Sequence, residues 1–310
     1  MDFIVTFING LSLGGIYAMI ALGYTMVYGI AKMLNFAHGD IIMVGGYSLF
    51  VVLNLTGHAI LAIIVAIILC VSIAVLMEKV AYKPLRGSSP LAVLITAIGV
   101  SYLLQSLSQI IFGSAPKFVV IAELGTISIG SLNIQVHSLI TLLATVIVMV
   151  ALSLFIKFSK VGRAMIAVSE DRGAAELMGI NVNNIITITF IIGAVLAAFA
   201  STLYLFNSPN IFPTFGSKPG IKAFTAAVIG GIGSIPGAMF GGILLGIIES
   251  FSNSVSVLAP YTDAIEFSIL IIILLVRPAG LLGKKKREKV WLWRWILKKC
   301  KSSSNITETI

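Results

Sequence analysis

The chain has 310 residues, 58% of them hydrophobic and only 11% charged, and its mean hydropathy is +1.06. A soluble domain carries about 25% charged residues, so a water-soluble fold is excluded. Continuous apolar runs of roughly 20 residues fit helical spans and exclude a transmembrane barrel, whose segments alternate over about ten residues.

The net charge of +9 is concentrated at one end: residues 284–301 hold nine Lys or Arg against Glu288, and Glu308 follows, so the tail supplies +7. Such a tail suits an anionic leaflet, and membrane lipid rather than nucleic acid is its expected partner. The expected fold class is all-α, a polytopic membrane helix bundle. Cys70 lies in an apolar run and Cys300 in the tail, so no disulfide framework is expected. The N-terminus, MDFIVTFING, carries Asp2 and no basic segment, and is read as the start of the first span rather than a cleaved signal.

Residues 3–30 predict that span. Gly10, Gly14, Gly15, Gly23 and Gly29 punctuate it, and Asn9, Ser12, Tyr17, Tyr24 and Tyr28 give it polar tips. Small residues permit close helix packing, with a path-lining role as the alternative. Next, AKMLNFAHGD (31–40) sets Asn35, His38 and Asp40 among apolar residues beside Gly39. The following apolar run, 41–55, is short for a span, which predicts a broken or re-entrant segment. Ionisable groups near membrane depth are costly and point to function. A hydrated loop at the membrane edge is the competing reading.

Residues 59–77 predict another span. Lys79, Lys83 and Arg86 outnumber Glu78 behind it, which places that loop on the cytoplasmic side. Residues 91–112 follow, with Gln105 and Gln109 four apart on one face. Residues 113–135 alternate and carry glycines, predicting a small extracytoplasmic hairpin. Residues 137–156 predict a span with His137 at its edge. After it comes a polar insert, SKVGRAMIAVSEDRGAAELMGINVNN (159–184), read as cytoplasmic from Lys157, Lys160, Arg163 and Arg172.

Residues 185–206 span outward, and 207–222, with Pro209, Pro213 and Pro219, read as an outside loop. Residues 223–250 hold seven glycines and Pro236 and are too broken for one plain span. Two half-helices meeting at 233–237 fit better. Residues 263–276 predict the last span. The count is seven full crossings plus the broken element, or nine if that element crosses twice. Either count puts the N-terminus outside and the C-terminus inside. The chain thus divides into a transmembrane domain, 1–283, and a basic cytoplasmic tail, 284–310. In the tail, Trp291, Trp293 and Trp295 beside Arg294 and Lys298 make an inner-leaflet pattern.

Several chemistries are missing. GxxxxGK[ST] is absent, since Gly283-Lys284 is followed by Lys285, and so are HExxH, GxSxG and a Rossmann glycine pattern. No nucleophile–base set, metal-ligand spacing or paired carboxylates stand out, so no catalytic residue, metal or cofactor is expected and the chain is not an enzyme. Titratable groups near the spans are few: His38, Asp40, Glu249, Asp263 and Glu266. Any drive has to be borrowed. The insert offers a means, with Gly162, Arg163, Glu170, Asp171 and Arg172 exposing charge. Ala164, Met165, Ala167, Ala174, Ala175, Leu177 and Met178 form an apolar helical face, and Gly179-Ile180-Asn181 a stop. A short amphipathic helix of this kind docks in a groove of a soluble partner or lies flat on the membrane.

In several stretches the chain resembles the permease subunit of branched-chain amino acid ABC importers of the LivH type. They are GIYAMIALGYTMVYGIAKMLNFAHGD (15–40), EKVAYKPLR (78–86), LITAIGVSYLLQ (94–105), the insert through LMGIN (177–181), KAFTAAVIGGIGSIPGAMFGGILLGIIES (222–250) and LLVRPAGLLG (274–283). The resemblance implies a bacterial cytoplasmic (inner) membrane protein that forms an import path with a second related permease. It also implies two cytoplasmic ATPase subunits and an extracytoplasmic binding protein that delivers branched-chain or related amino acids. The insert is then the ATPase-coupling element, carried by Arg163, Glu170, Asp171, Arg172, Ala174, Ala175 and Gly179. Many ABC import permeases carry EAA-x3-G there; here the register reads Gly173-Ala174-Ala175 and then Gly179, so the Glu is replaced. Asn35, His38 and Asp40, with Gly233, Ser234 and Pro236 at the late break, are the expected translocation-path residues. A self-sufficient secondary transporter or channel is the alternative function.

Overall fold

The computed structural model describes residues 3–122, 125–129 and 132–283. The tail 284–310, with its three tryptophans, lies outside the described residues. The helices are α1 (Phe3–Ala31), α2 (His38–Thr56), α3 (Ala59–Met77), α4 (Pro90–Phe112), α5 (Val136–Phe158), α6 (Lys160–Glu170), α7 (Arg172–Leu177), α8 (Val182–Asn207), α9 (Ser217–Gly230), α10 (Ile235–Ser254) and α11 (Thr262–Val276). Strands are minor. β1 (Lys117–Phe118) pairs antiparallel with β4 (Asn210–Ile211), and β2 (Thr126–Ile129) pairs with β3 (Leu132–Gln135) in the expected hairpin.

Among the described residues, eight helices are long and apolar enough to cross a membrane: α1, α2, α3 with its continuation to Leu85, α4, α5, α8, α10 and α11 with the turn before it from Ala259. This replaces the expected seven or nine, and α2 is one full-length helix among them. The apolar run starting at residue 41 is short, but the helix begins at His38 and takes in Gly39 and Asp40, giving 19 residues. Its first turn can include those polar groups because all three are buried against other helices.

The difference in the count lies in residues 223–250. The chain does break there, between Gly230 and Ile235, but the two pieces are unequal. α10 has 20 residues and α9 only 14, too few to cross alone at 1.5 Å per residue.

The core is the contact of α1 with α10. Their glycines face each other: a Cβ on Gly14 would lie 2.8 Å from the Ile243 backbone, and one on Gly246 would strike the Gly14 backbone. Gly242 meets Ala18 in the same way. Residue numbers rise along α1 as they fall along α10, so the helices are antiparallel. Between lipid tails there is little hydrophobic gain from association, and close backbone approach supplies dispersion contact instead. α8, α5 and α9 also pack on α1, leaving its central turns fully buried.

By contrast, α3, α4, α5 and α11 expose Ile64, Ile68, Leu103, Ile110, Leu143, Ile147, Ile271 and Leu275 along their outer faces. An exposed apolar belt of this kind is what a bilayer or a neighbouring membrane subunit covers.

The bundle has two distinguishable ends. α6 and α7 lie at one, beside the end of α1. Phe3 lies at the other, its ring 5.1 Å from that of Phe251 near the end of α10. The residues after α11 return to the α6–α7 end, where Leu281 and Leu282 donate backbone hydrogen bonds to Ile229 and Gly230. Phe3 and the end of α11 therefore sit at opposite ends. α9 makes the intervening return toward the α6–α7 end without spanning the full depth.

Gly246→Ala forces a methyl into the α1 backbone, and overpacking of this kind costs about 1–3 kcal/mol. A Cβ on Gly99 of α4 meets nothing within 4 Å. Gly246→Ala is therefore expected to lower the thermal midpoint of the purified protein in detergent, while Gly99→Ala leaves it unchanged or raises it slightly.

Candidate functional site

The polar insert folds into two helices, where a single short helix was expected. The break falls at Asp171, whose extended backbone (φ −152°) leaves the helical region while its carboxylate accepts from Ala174 N at 3.1 Å. That is an N-cap, and a cap residue ends one helix as it starts the next. Ser159 caps α6 in the same way, accepting from Gly162 N at 2.8 Å.

α7 ends in a Schellman turn. Gly179 takes φ +80°, its N–H reaches Glu176 O at 2.9 Å, and Ile180 N reaches Ala175 O at 3.0 Å. Asn181 then caps α8, accepting from Asn184 N at 3.1 Å. Three caps and a left-handed glycine set the local course of this polar excursion.

The amphipathic pattern determines what the excursion shows outward. Gly162, Met165, Val168 and Ala175 are buried, and Gly162 sits directly on the backbone of Ile156. Of the residues expected to meet a partner, Arg163, Glu170, Asp171, Ala174 and Gly179 are exposed, whereas Ala175 is buried beneath them. Arg172 turns inward, and its Nη2 donates to Ile30 O at the end of α1 at 2.8 Å. The largest exposed apolar side chains on the excursion are Leu177 and Met178, 91% and 82% exposed. Sequence periodicity put both on the apolar face. It missed that the Schellman turn swings them off that face to the tip.

A second polar group stands beside the insert. Glu78 is fully buried and pairs with Arg86, which also bonds Asn183 Oδ1 at the start of α8. Thr187 Oγ1 donates to the other Glu78 oxygen at 3.0 Å. Burial pulls the Arg86 guanidinium below its ordinary value, Glu78 pulls it back up, and Arg172 adds a like charge. Arginine stays cationic through this.

The early path candidates lie deeper. Asn35 Oδ1 accepts from Tyr82 OH at 2.7 Å. His38 fills a notch between Gly23 of α1 and Gly193 of α8, edge-on to Tyr24 at 4.8 Å between ring centroids. A Cβ on Gly23 would strike the imidazole, and Nε2 has no hydrogen-bond partner among the described residues. Asp40 Oδ1 accepts from Gln105 Nε2 of α4 at 2.9 Å, and the same amide reaches Ser217 Oγ of α9 at 3.2 Å. Beside them Gly39 packs on the backbone of Gly216 and Gly220. Asp40 is thus the meeting point of α2, α4 and α9.

The late candidates stand apart from these. Gly233 (φ +93°) approaches Gly29 of α1, Ser234 caps α10 by accepting from Gly237 N at 3.3 Å, and Pro236 follows in the first turn. Gly29 and Gly23 are six residues apart, about 9 Å along the helix. The two sets therefore touch the same helix at different depths and make no single cluster.

A multi-pass bundle of apolar helices, interrupted at two polar turns and carrying a capped polar excursion at one end, defines a membrane transport subunit. Residues 6–274 match the family model described as branched-chain amino acid transport system / permease component. The chain is 44% identical over 297 residues to the high-affinity branched-chain amino acid transport system permease protein BraD of Pseudomonas aeruginosa, covering 91% of this chain and 96% of that protein. It is 42% identical to LivH of Escherichia coli K12, covering 93% and 98%. A probable branched-chain amino acid transport permease protein of Methanocaldococcus jannaschii is 29% identical, covering 86% and 88%. The chain belongs to the branched-chain amino acid transport system permease family, and it is a multi-pass membrane protein.

Gln105→Leu removes an amide donor from the buried Asp40 carboxylate, which costs about 1–3 kcal/mol. Gln109, one turn along α4, is exposed, and Gln109→Leu should stay within about 0.5 kcal/mol. Thermal unfolding of the two variants in one detergent is expected to separate them in that order.

Proposed function

We propose that this chain is a path-forming permease subunit of an ATP-driven importer of branched-chain or related amino acids. It works with a second related permease, two cytoplasmic ATPase subunits and an extracytoplasmic binding protein. ATP is hydrolysed in the partner subunits. The α6–α7 end is cytoplasmic on this reading, because Lys79, Lys83, Arg86, Lys157, Lys160 and Arg163 gather there. The N-terminus is then outside and the C-terminal tail inside.

One observation carries the proposal: Leu177 and Met178, apolar and almost fully exposed, held at a rigid tip between a capped helix and a Schellman turn. A lone exposed Leu is ordinary, but a fixed apolar pair on a polar excursion suits a groove in a soluble protein. Arg163, Glu170 and Asp171 surround it and suit a polar rim.

Movement at this tip has a mechanical route inward. Arg172 ties α7 to Ile30 of α1, and Arg86 with Glu78 ties the loop after α3 to α8. Closure of the ATPase pair would push α6 and α7, and the tied ends of α1 and α8 would follow as rigid bodies. Asn35, His38 and Asp40, with Gly233, Ser234 and Pro236, belong to the polar turns that ride on α1. On this reading they set the path by how the interrupted helices shift against one another, a role that the burial of Asn35, His38 and Asp40 supports.

Replacing Leu177 and Met178 together by Asp is expected to leave membrane insertion intact, since neither side chain is part of the bundle. Uptake driven by ATP should fall by about thirtyfold or more, the loss typical of an interface anchor. Uptake at the wild-type rate in reconstituted vesicles would overturn the coupling assignment. Gradient-driven amino-acid flux through this chain without ATPase subunits would overturn the importer reading itself.

A further inference from the structure

A charged cluster lies toward the end of the bundle away from α6 and α7, and neither the proposed coupling surface nor the path residues use it. Lys222, on α9, points its ammonium at three carboxylates. Nζ is 2.7 Å from Glu249 Oε1 of α10, 3.0 Å from Asp263 Oδ1 of α11 and 3.3 Å from Glu266 Oε2 of α11. The Lys222, Glu249 and Glu266 side chains are 10%, 12% and 1% exposed, while Asp263 is 57% exposed and marks the opening. Beside them lies a cavity of about 260 Å³, lined by Tyr17, Tyr204, Lys222, Glu249, Asn253 and Asp263. Tyr17 enters the cavity wall from the α1 side.

The donors and charges in this cluster do not balance. An ammonium has three N–H donors and no acceptor, while three ionised carboxylates present six oxygens. Glu249 Oε2 is buried without a hydrogen-bond donor among the described residues, and Glu266 Oε2 has only its 3.3 Å ion-pair contact with Lys222 Nζ. Protonation of one acid would still leave one carboxylate without a counter-charge. A cluster built only to join α9, α10 and α11 needs one acid for its lysine; here the surplus carboxylate, Asp263, stands at the opening within reach of a solute. What is missing is a second cation with several N–H donors, and the cavity adjoins the groups that would receive it. Lys218, exposed at the same cavity, offers a positive charge a short distance from the acids. The arrangement matches a zwitterion.

We infer that this cavity binds a free amino acid, with Glu249 and Asp263 receiving its α-ammonium and Lys218 facing its carboxylate. Lys222 holds the three acids in place. This inference rests on the reading of the chain as an amino-acid permease and adds a subsite on the side where the substrate arrives. Tyr17 and Tyr204 supply the flat walls against which an aliphatic side chain packs.

The test uses the membrane complex of both permeases and both ATPases, with labelled leucine as the probe. Unlabelled leucine and 3-methylbutylamine, which keeps the ammonium, are expected to compete. 4-Methylpentanoate, which lacks it, is not. Equal competition by the acid and the amine would overturn the ammonium assignment, and this arm needs no variant to fold. Glu249→Gln and Asp263→Asn are each expected to weaken leucine binding about tenfold, the loss typical of a charge-assisted hydrogen bond. Unchanged affinity in both would overturn the site, as would lowered thermal midpoints with an unchanged preference for the amine over the acid. Displacement of leucine by sodium or potassium, but not by choline at equal ionic strength, would assign the acids to an inorganic cation instead.

ATP-driven leucine uptake by the wild-type complex with its binding protein is measured alongside. Uptake with failed binding arms sinks the subsite alone; absence of uptake of any amino acid sinks the permease reading with it.

Discussion

In a bilayer two apolar helices gain little by touching, because lipid tails are as apolar as their side chains. The packing of α1 on α10 meets this constraint by removing side chains altogether. Gly10, Gly14, Gly242 and Gly246 bring the two backbones together so closely that a single methyl would not fit. The contact fixes an antiparallel pair at the centre, and α5, α8 and α9 pack around it. The same need explains the sequence of α1. Its glycines are costly in an isolated helix, at about 1 kcal/mol each, and are tolerated where close packing offsets that loss.

A second constraint follows from the first. Backbone groups at membrane depth must be satisfied within the protein, so each interruption needs its own partners. At the late break, Gly231 donates to Ala227 and Val228, while Leu281 and Leu282 bond the freed carbonyls of Ile229 and Gly230. At the early break, Lys32 takes a left-handed φ of 54° and donates its N–H to Tyr28 O at 2.9 Å, closing the end of α1. Asn35 and Asp40 engage side chains of neighbouring elements, Tyr82 and Gln105. Polar residues in these turns therefore complete the backbone's own accounting before they do anything for a solute. That is why a hydrated loop and a path-lining segment looked alike in AKMLNFAHGD.

This also marks the boundary of what the sequence made legible. Spans, hairpin and polar insert follow from hydropathy and local turn chemistry, and all three are found. The start of α2 was misjudged because a polar first turn looks like a loop until its burial by α4, α8 and α9 is known. The insert's division at Asp171 was missed because one Asp inside a helical pattern reads as surface charge unless its own backbone is extended. Lys222 went unnoticed for a different reason. The acids that face it, Glu249, Asp263 and Glu266, are distant in sequence, and only the packing of three helices brings them to one lysine. The intact register through Gly173-Ala174-Ala175 and Gly179 showed where the insert turned, yet the outward-facing pair comes just before Gly179, at positions the register leaves blank.

The proposed docking tip and the charged cavity sit toward opposite ends of the bundle, and α1 runs past both. Its last turn accepts Arg172 from α7, its middle contributes Tyr17 to the cavity, and the His38 ring occupies the notch at Gly23 between them. A helix packed this tightly cannot bend locally to accommodate a push, because interiors at close packing shift as units. Displacement of its end would therefore be felt at Tyr17 as a translation of the whole helix against α8 and α9. α10 is bound to α1 through the glycine faces and would move with it, carrying Glu249. Asp263 and Glu266 ride on α11, whose contacts are with α9, α10 and the turn before it. Movement of the α1–α10 pair relative to α11 would then change the distances among the acids that surround Lys222. In that geometry one rigid pair would link the proposed docking end to the proposed cavity, and α11 would provide the counterpart against which it works.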